Sequence, residues 1–293
     1  MTADLGTDVF EEHRPLLMGV AYRMLGRVAD AEDVVQDSWL RWSGADRAAV
    51  REPRAYLVRT VTRLAIDRLR QVQARGEAYP GPWLPEPYLT EFGDTVPDTA
   101  DLALLAETVS FAVLVVLESL SPLERAVFVL REAFGYPYAE IATLLDRGEP
   151  AVRQLAGRAR RHVAERRPRF EVDPAERRDL TARFLAAAGD GDIEGLMSLL
   201  APDVRLVGDS GGKAKAPLRT LHTADKVGRF LVGVARTGPA LTYEFVEVNG
   251  GPAVLGRFGG TPDTLFQLDI ADGRVATVYI VRNPDKLRHL ARR

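Results

Sequence analysis

The feature that most constrains this chain is a pair of short helical patterns joined by a tight turn within residues 137–161. The predicted turn is Asp146-Arg147-Gly148-Glu149, and the second helix reads PAVRQLAGRARR from Pro150. A step of 100° per residue separates this helix into an apolar face and an arginine face. Helices joined in this way form a helix-turn-helix, whose second helix lies in a DNA groove. The pattern therefore predicts a DNA-binding helix; the alternative is a solvated basic helix in a helical bundle.

The two faces of this helix differ sharply in chemistry. The predicted buried face consists of Val152, Leu155, Ala156, Ala159 and Val163. The opposite face carries Arg153, Gln154, Gly157, Arg160 and Arg161, with Arg158 at its edge. Residues 147–169 contain eight arginines against two glutamates, which suits a polyanionic partner.

Length and composition exclude several classes of protein. A chain of 293 residues is expected to hold two or three domains. It has no cysteine, so disulfides and thiolate metal sites are excluded, and its four histidines are scattered; we expect no metal and no cofactor. The acidic N-terminus lacks a signal peptide's apolar segment, and no run of 18 apolar residues could span a membrane. We therefore expect a cytoplasmic protein with no membrane partner.

The residue pattern changes three times along the chain. Residues 8–74 and 107–167 have helical periodicity, whereas residues 75–106 are rich in proline and acids and read as a linker. Residues 175–290 read as an α+β domain. Its predicted helices are 176–188, 193–200 and 224–235, and its predicted strands are 204–208, 241–248, 253–258, 264–270 and 274–281. Hairpin turns are predicted at Asn249-Gly250-Gly251 and Asp272-Gly273, since these residues tolerate positive φ.

An acidic helix is predicted at residues 30–42. Its core face would consist of Ala31, Val34, Val35, Trp39 and Trp42. Asp33, Gln36, Asp37 and Leu40 lie opposite. An exposed leucine among carboxylates suits docking to a basic protein surface. The alternative is an ordinary acidic helix N-terminus, stabilised by the helix dipole.

A basic helix is predicted at residues 53–70. Tyr56, Arg59, Arg63, Asp67 and Arg70 lie opposite its apolar arc. Basic side chains beside an aromatic ring suit DNA phosphates and unstacked bases. The alternative is a solvated helical face.

The order of these surfaces, with their motifs, resembles a bacterial sigma factor of the extracytoplasmic-function type. The resemblance rests on DAEDVVQDSWLRW, PRAYLVRTVTRLAIDRLR and LSPLERAVFVLREAFGYPYAEIA. It covers residues 8–74 (like sigma region 2) and 107–167 (like sigma region 4), and it implies two all-α domains. It further implies that the protein binds core RNA polymerase and promoter DNA.

The resemblance implies roles for particular residues. Asp33, Gln36, Asp37 and Leu40 would contact the β′ clamp helices of the polymerase, and region 4 would contact the β flap. The −10 element would be bound by Tyr56, Arg59, Arg63 and Arg70. The −35 element would be bound by Arg153, Gln154, Arg158, Arg160 and Arg161.

The C-terminal part resembles a SnoaL-like domain, an α+β cone. The segment FLAAAGDGDIEGLMSLLAPDVRLVGDSGGK at 184–213 shows this resemblance. Together with PGPWLPEPY at 80–88 and NPDKL at 283–287, it is similar to extended sigma factors of the sigma J type. We expect this domain to regulate the sigma module in cis, with a possible small ligand. The candidate regulatory or pocket residues are Trp83, Asp209, Lys213, Asn283, Pro284, Asp285 and Lys286.

Two other functions remain open at this point. The domain could be a SnoaL-class enzyme or ligand sensor fused to a DNA-binding module, with Asp209 as its polar pocket group. An isolated aspartate after a strand is more often a turn residue, and no acid–base pair accompanies it, so we expect no enzyme. The chain could also be a repressor that acts without polymerase, but a repressor does not need the acidic surface at Asp33 and Asp37.

Overall fold

The computed structural model of the protein describes residues 5–75, 79–90, 110–165 and 173–291. They divide into two compact units. The first contains residues 5–75 and 110–165, and the second contains residues 79–90 and 173–291. The described part of the proline-rich linker, residues 79–90 (the linker segment), therefore belongs to the unit that holds the C-terminal part of the chain.

The first unit begins with three helices. These are α1 (Leu5–Leu25), α2 (Val28–Ser43) and α3 (Pro53–Arg75), with a 3-10 turn at Arg47–Ala49 before α3. They pack through fully or almost fully buried side chains that include Leu17, Trp42, Leu57 and Val61. The helices are also joined by an ion pair, because Arg68 Nη2 lies 2.6 Å from Asp30 Oδ1. Asp30 is therefore a structural residue of α2 and not part of its exposed acidic surface.

The rest of the first unit is also helical. It contains α4 (Phe111–Leu117), α5 (Pro122–Phe128), a π-helical segment (Val129–Ala133), α6 (Tyr138–Leu145) and α7 (Glu149–Ala164). Ser121 and Glu124 form a capping box at the start of α5. Asp146 ends α6 in the left-handed conformation at φ 56°, which turns the chain into α7.

Two buried arginines join the halves of this unit. Arg125 Nε donates a hydrogen bond to the Arg23 carbonyl at 3.1 Å. The Arg23 guanidinium lies 4.9 Å from the ring centroid of Phe134. Burial lowers the pKa of Arg23 to about 10, so it stays charged at neutral pH.

The second unit combines helices with one sheet. Its helices are α8 (Pro174–Asp190), α9 (Ile193–Leu199), α10 (Ala224–Thr237) and α11 (Pro284–Leu287), followed by a 3-10 turn at Arg288–Ala291. Its strands are β1 (Leu200–Asp209), β2 (Leu221–His222), β3 (Thr242–Val248), β4 (Gly251–Phe258), β5 (Thr261–Ala271) and β6 (Arg274–Val281). The sheet order is β2-β1-β6-β5-β4-β3, with β1 and β6 parallel and the other neighbours antiparallel.

Local sequence explains the hairpins, and packing explains the core. Asn249 and Asp272 have φ of 52°, and the glycines that follow them also have positive φ, as the predicted turns require. Side chains such as Phe184, Leu231 and Val278 form an apolar core shared by helices and sheet. The linker segment adds to the open edge of β3, because Leu89 forms an antiparallel bridge with Val248.

The predicted fold class is confirmed: two helical regions plus an α+β domain with one mixed sheet. Some details differ from the prediction. The turn before α7 is shorter, since Glu149 already belongs to the helix. Leu155 and Trp39 are half-buried, whereas their patterns predicted core positions. The π-helical segment, β2 and α11 were not predicted, because each is too short to produce a periodic pattern. Within the described residues, no helix is both long and apolar enough to cross a membrane.

Candidate functional site

The acidic surface of α2 is solvent-exposed. Asp33, Gln36, Asp37 and Leu40 all lie on the outer face, while Val34, Val35 and Trp42 are buried beneath them. Leu40 is 60% exposed, which is unusual for a large apolar side chain surrounded by carboxylates. An exposed apolar residue within a charged rim has the composition of a protein-binding surface.

The basic surface of α3 is partly buried and contains an aromatic contact. Tyr56 packs against Trp42 with ring centroids 5.7 Å apart. Arg59 and Arg63 are half-buried, while Arg70 is exposed and lies 3.5 Å from Asp67. The structure therefore places these four predicted residues on one helix, with the aromatic ring held by the core of the first unit.

The arginine face of α7 is exposed as its periodicity predicts. Val152, Ala156, Ala159 and Val163 are buried. The predicted DNA-contacting residues Arg153, Gln154, Arg158, Arg160 and Arg161 are all exposed. Pro150 lies in the first turn of α7, where its missing N–H needs no partner.

Three of these arginines have acidic neighbours inside the protein. Arg158 Nε lies 3.0 Å from Glu124 of α5, and Arg160 Nε lies 3.0 Å from Glu132. Arg153 pairs with Glu149 one turn earlier on α7. Exposed pairs of this kind are worth little, about 0–1 kcal/mol, so DNA could displace them. Beside these partners the side chains of Arg158 and Arg160 are still 50% and 49% exposed.

In the second unit, the structure brings together several predicted candidates around Asp209, which ends β1. Asp209 is fully buried and lies 2.7 Å from the Lys286 ammonium. It also accepts hydrogen bonds from the Tyr79 hydroxyl and from the Leu84 backbone N–H at 2.8 Å. The Gly211 N–H donates at 3.1 Å, so Asp209 also organises its own turn. We call this cluster of Asp209, Lys286, Tyr79 and Leu84 the Asp209 node.

Lys286 is the cation of the Asp209 node and is only 3% exposed. Its ammonium donates to the Leu84 carbonyl and lies 4.0 Å from the ring centroid of Trp83 and 5.1 Å from that of Tyr79. Aromatic faces attract a desolvated cation strongly. One lysine from α11 therefore contacts three residues of the linker segment as well as the sheet.

The other residues of the C-terminal motif extend the same contact. Asn283 Nδ2 donates to the Tyr79 hydroxyl at 2.8 Å, and its side-chain oxygen caps α11 by accepting from the Asp285 N–H. Pro284 occupies the first turn of α11. Lys213 and Asp285 form an ion pair at the exposed side. All seven predicted regulatory candidates thus lie in or beside one contact between linker segment, sheet and α11.

Several residues of this contact carry no signal in the sequence. Tyr79 was not singled out, and the backbone groups of Leu84 cannot be identified from residue type. His289 lies between two groups of the linker segment, with Nε2 against the Pro87 carbonyl and Nδ1 3.2 Å from Glu86. These partners are about 130 to 200 residues apart in the chain, so no local pattern could reveal them.

A carboxyl group outside the predicted set has a perturbed environment. Burial raises the pKa of Asp269 on β5 to about 6, although Arg177 and Arg205 act against this shift. Burial also raises the pKa of Tyr279 on the neighbouring strand β6, and the charge of Asp269 adds to the effect.

The hydrogen bonds of Asp209 bear on the enzyme alternative. Both of its carboxylate oxygens already accept hydrogen bonds from the protein, which leaves it poorly suited to the catalytic role of that alternative.

Comparison with known proteins defines the class of this protein. The model for Sigma-70 region 2 matches residues 9–75, and the model for Sigma-70, region 4 matches residues 110–163. These ranges contain the acidic and basic surfaces of α2 and α3 and the helix-turn-helix.

Relatives cover almost the whole chain. The ECF RNA polymerase sigma factor SigJ of Mycobacterium tuberculosis is 42% identical over 289 residues, 94% of this chain and 91% of the relative. The probable ECF RNA polymerase sigma factor SigI of the same species is 32% identical over 288 residues, 94% of this chain and 92% of the relative. The crystal structure of M. tuberculosis SigJ superposes with a TM-score of 0.77 at 39% identity, covering 96% of this chain and 98% of that one. This chain therefore belongs to the extracytoplasmic-function family of RNA polymerase sigma factors.

Proposed function

We propose that the protein directs core RNA polymerase to promoters with −10 and −35 elements, and that its second unit regulates this activity in cis by binding the linker segment. The observation that supports the regulatory part is the Asp209 node. Through it, a buried lysine of the C-terminal motif is bonded to a segment that connects the two sigma regions.

The acidic surface of α2 supports polymerase docking. Asp33, Gln36, Asp37 and Leu40 would contact the β′ clamp helices, while region 4 would contact the β flap. Charge complementarity between carboxylates and a basic partner accelerates association and fixes orientation. The exposed Leu40 supplies apolar area at the centre of the contact.

The two basic surfaces support promoter binding. Tyr56, Arg59, Arg63 and Arg70 would bind the −10 element, where an aromatic ring supported by Trp42 can stack on an unpaired base. Arg153, Gln154, Arg158, Arg160 and Arg161 would bind the −35 element, since all five are exposed on α7. Guanidinium groups can bind both DNA phosphates and the major-groove edge of guanine.

The linker segment gives the second unit a means of control. Residues 79–90 are twelve of the 34 residues between α3 and Ser110, and these twelve belong to the second unit. A chain spans at most about 3.6 Å per residue, so a bound linker shortens the reach between the −10 and −35 contacts. Release of the linker segment would restore that reach.

Run-off transcription with core polymerase tests the first part of the proposal. The template is a promoter that the wild-type holoenzyme enriches from a library randomised at both elements. We expect Asp33→Arg with Asp37→Arg to weaken core binding and transcription without changing thermal stability, since both residues are exposed. Asp190→Arg with Asp203→Arg is the matched control, because both are exposed residues of the second unit and the charge change is equal. Normal core binding by the first double variant would refute the docking surface.

A further inference from the structure

The two edge strands of the sheet in the second unit differ in length. One edge is β2, which contains only Leu221 and His222. The other edge is β3, which pairs with β4 over seven residues without a bulge. Natural sheets protect their edges with short strands, bulges, lysine or proline, because free N–H and C=O groups pair with other strands. The sequence of β3, TYEFVEV, contains neither lysine nor proline, so this edge is suited to strand addition.

The linker segment pairs with one end of this edge and leaves the rest open. The Thr90 N–H donates to the Glu247 carbonyl at 2.8 Å. Odd-numbered residues of β3 therefore direct their backbone groups outward, because these groups alternate along an antiparallel strand. None of the described residues bonds to the outward backbone groups of Tyr243 and Phe245. The open stretch of the edge is residues 242–246.

The side chains of the open stretch have the composition of an interaction surface. Tyr243 and Phe245 lie on one face of β3 and are each 56% exposed. Phe258, at the end of β4, shares this face and is 57% exposed. Neighbouring exposed aromatic side chains of this kind mark binding sites. On the opposite face, Glu244 Oε1 lies 2.7 Å from Arg257 Nη2, which offsets the charge of the carboxylate.

We infer that β3 pairs with β3 of a second copy of this chain, in an antiparallel arrangement whose two-fold axis passes through Glu244. Residues 242–246 are symmetric about this position, so an axis here uses the whole open stretch. It places Tyr243 opposite Phe245 of the second copy. Both residues direct their backbone groups outward, so each such pair exchanges two N–H···O bonds. The aromatic side chains then form cross-strand pairs, which stabilise antiparallel sheets.

A second copy fits this edge because its own strand supplies the matching pattern. The outward backbone groups, the aromatic side chains and the limit set by Thr90 all have the same symmetric spacing about residue 244. At the axis, two Glu244 carboxylates face each other, and each is accompanied by its own Arg257. This inference concerns self-association and is independent of the proposed role in transcription.

Sedimentation of the full-length protein tests the inference. The contact covers a short stretch of each copy and is smaller than a standard interface of about 1,600 Å², so we expect a weak dimer. Its dissociation constant should be on the order of 10 µM or above, measurable between roughly 1 and 300 µM protein. Phe245→Lys removes both aromatic pairs and should raise the dissociation constant about tenfold or more. Phe258→Lys alters the same face on an inner strand and should change it by less than about threefold.

Cysteine substitutions test the register, because the chain has no cysteine of its own. At the axis, the two copies of residue 244 form a non-hydrogen-bonded pair with Cα atoms about 4.5 Å apart, within reach of a disulfide. The two copies of residue 242 would lie about 14 Å apart, at ~3.4 Å per residue, which is too far. Glu244→Cys should therefore form a covalent dimer with oxidised glutathione at least about tenfold faster than Thr242→Cys. Thr242 is the matched control, since it is exposed on the same face of β3.

Several results would overturn the inference. A protein that stays monomeric at every concentration has no such dimer. Equal cross-linking of Glu244→Cys and Thr242→Cys, or faster cross-linking of Thr242→Cys, would exclude the two-fold axis at residue 244. Equal weakening by Phe245→Lys and Phe258→Lys would show that copies meet through the aromatic face and not through the strand edge. Thermal unfolding of the lysine variants checks their fold, and the cysteine variants test the register without them.

Discussion

Replacing Lys286 by methionine should release the linker segment from the second unit. The substitution keeps an unbranched side chain, one atom shorter than lysine, and removes the charge that lies 2.7 Å from Asp209. Removing one member of a buried ion pair typically costs 3–5 kcal/mol. Asp209 keeps donors from Tyr79, Leu84 and Gly211, so we expect the lower end, about 3 kcal/mol. The substitution also removes the contacts between the ammonium and the rings of Trp83 and Tyr79. Their free energy is included in the 3–5 kcal/mol and is not added to it, because the contributions of groups in contact are not additive.

Amide hydrogen exchange on the full-length protein measures this loss of free energy in the linker segment itself. The Leu84 N–H donates to Asp209, and the Thr90 N–H donates to the Glu247 carbonyl. A loss of about 3 kcal/mol in the local opening free energy corresponds to roughly 150-fold faster exchange at Leu84. Lys226→Met, at an exposed position of α10, is the control and should change neither amide. Exchange at Leu84 within about threefold of the wild-type rate in Lys286→Met would show that the node does not hold the linker segment.

Two further predictions concern residues of the second unit. Gly211→Ala should destabilise it by about 1–3 kcal/mol in thermal unfolding, because Gly211 has φ 57° and a Cβ there would overlap the Asn283 amide; an unchanged melting temperature would contradict this geometry. The pKa of Asp269 rises from 3.8 to about 6 on folding, so the folded state binds more protons in this range and stability should fall as pH rises from about 4 to 6. The loss is up to about 3 kcal/mol, and unfolding of Asp269→Asn should lack this component; identical pH profiles for wild type and variant would refute it.

Periodicity in the sequence was sufficient to predict the elements that carry the sigma surfaces. The apolar faces of α2 and α7 contain residues at every third or fourth position, and burial of Val34 and Val152 follows directly from that spacing. The β-hairpins were equally predictable, because Asn249 and Asp272 precede glycine at positions that need positive φ. These features depend on interactions between residues near one another in the chain.

The contacts around Asp209 could not be predicted in the same way. Lys286 occupies a charged motif at a helix start, where lysine is ordinarily exposed, yet it is buried because Trp83 and Tyr79 cover it. This burial depends on partners that are distant in the chain and are brought near by the fold, so neither composition nor local spacing encodes it.

The placement of the linker segment has a consequence for how regulation could evolve in a sigma factor. A domain that bound a DNA-reading surface directly would have to compete with promoter DNA for the same residues. Under the proposed regulation the second unit acts on the linker segment through Lys286 and Asp209, so the regulatory contact itself does not require any residue of the DNA-reading face of α7. Under this proposal the effect on activity would be set by the opening free energy of one buried contact, so substitutions at the Asp209 node should tune transcription without changing which promoters are recognised.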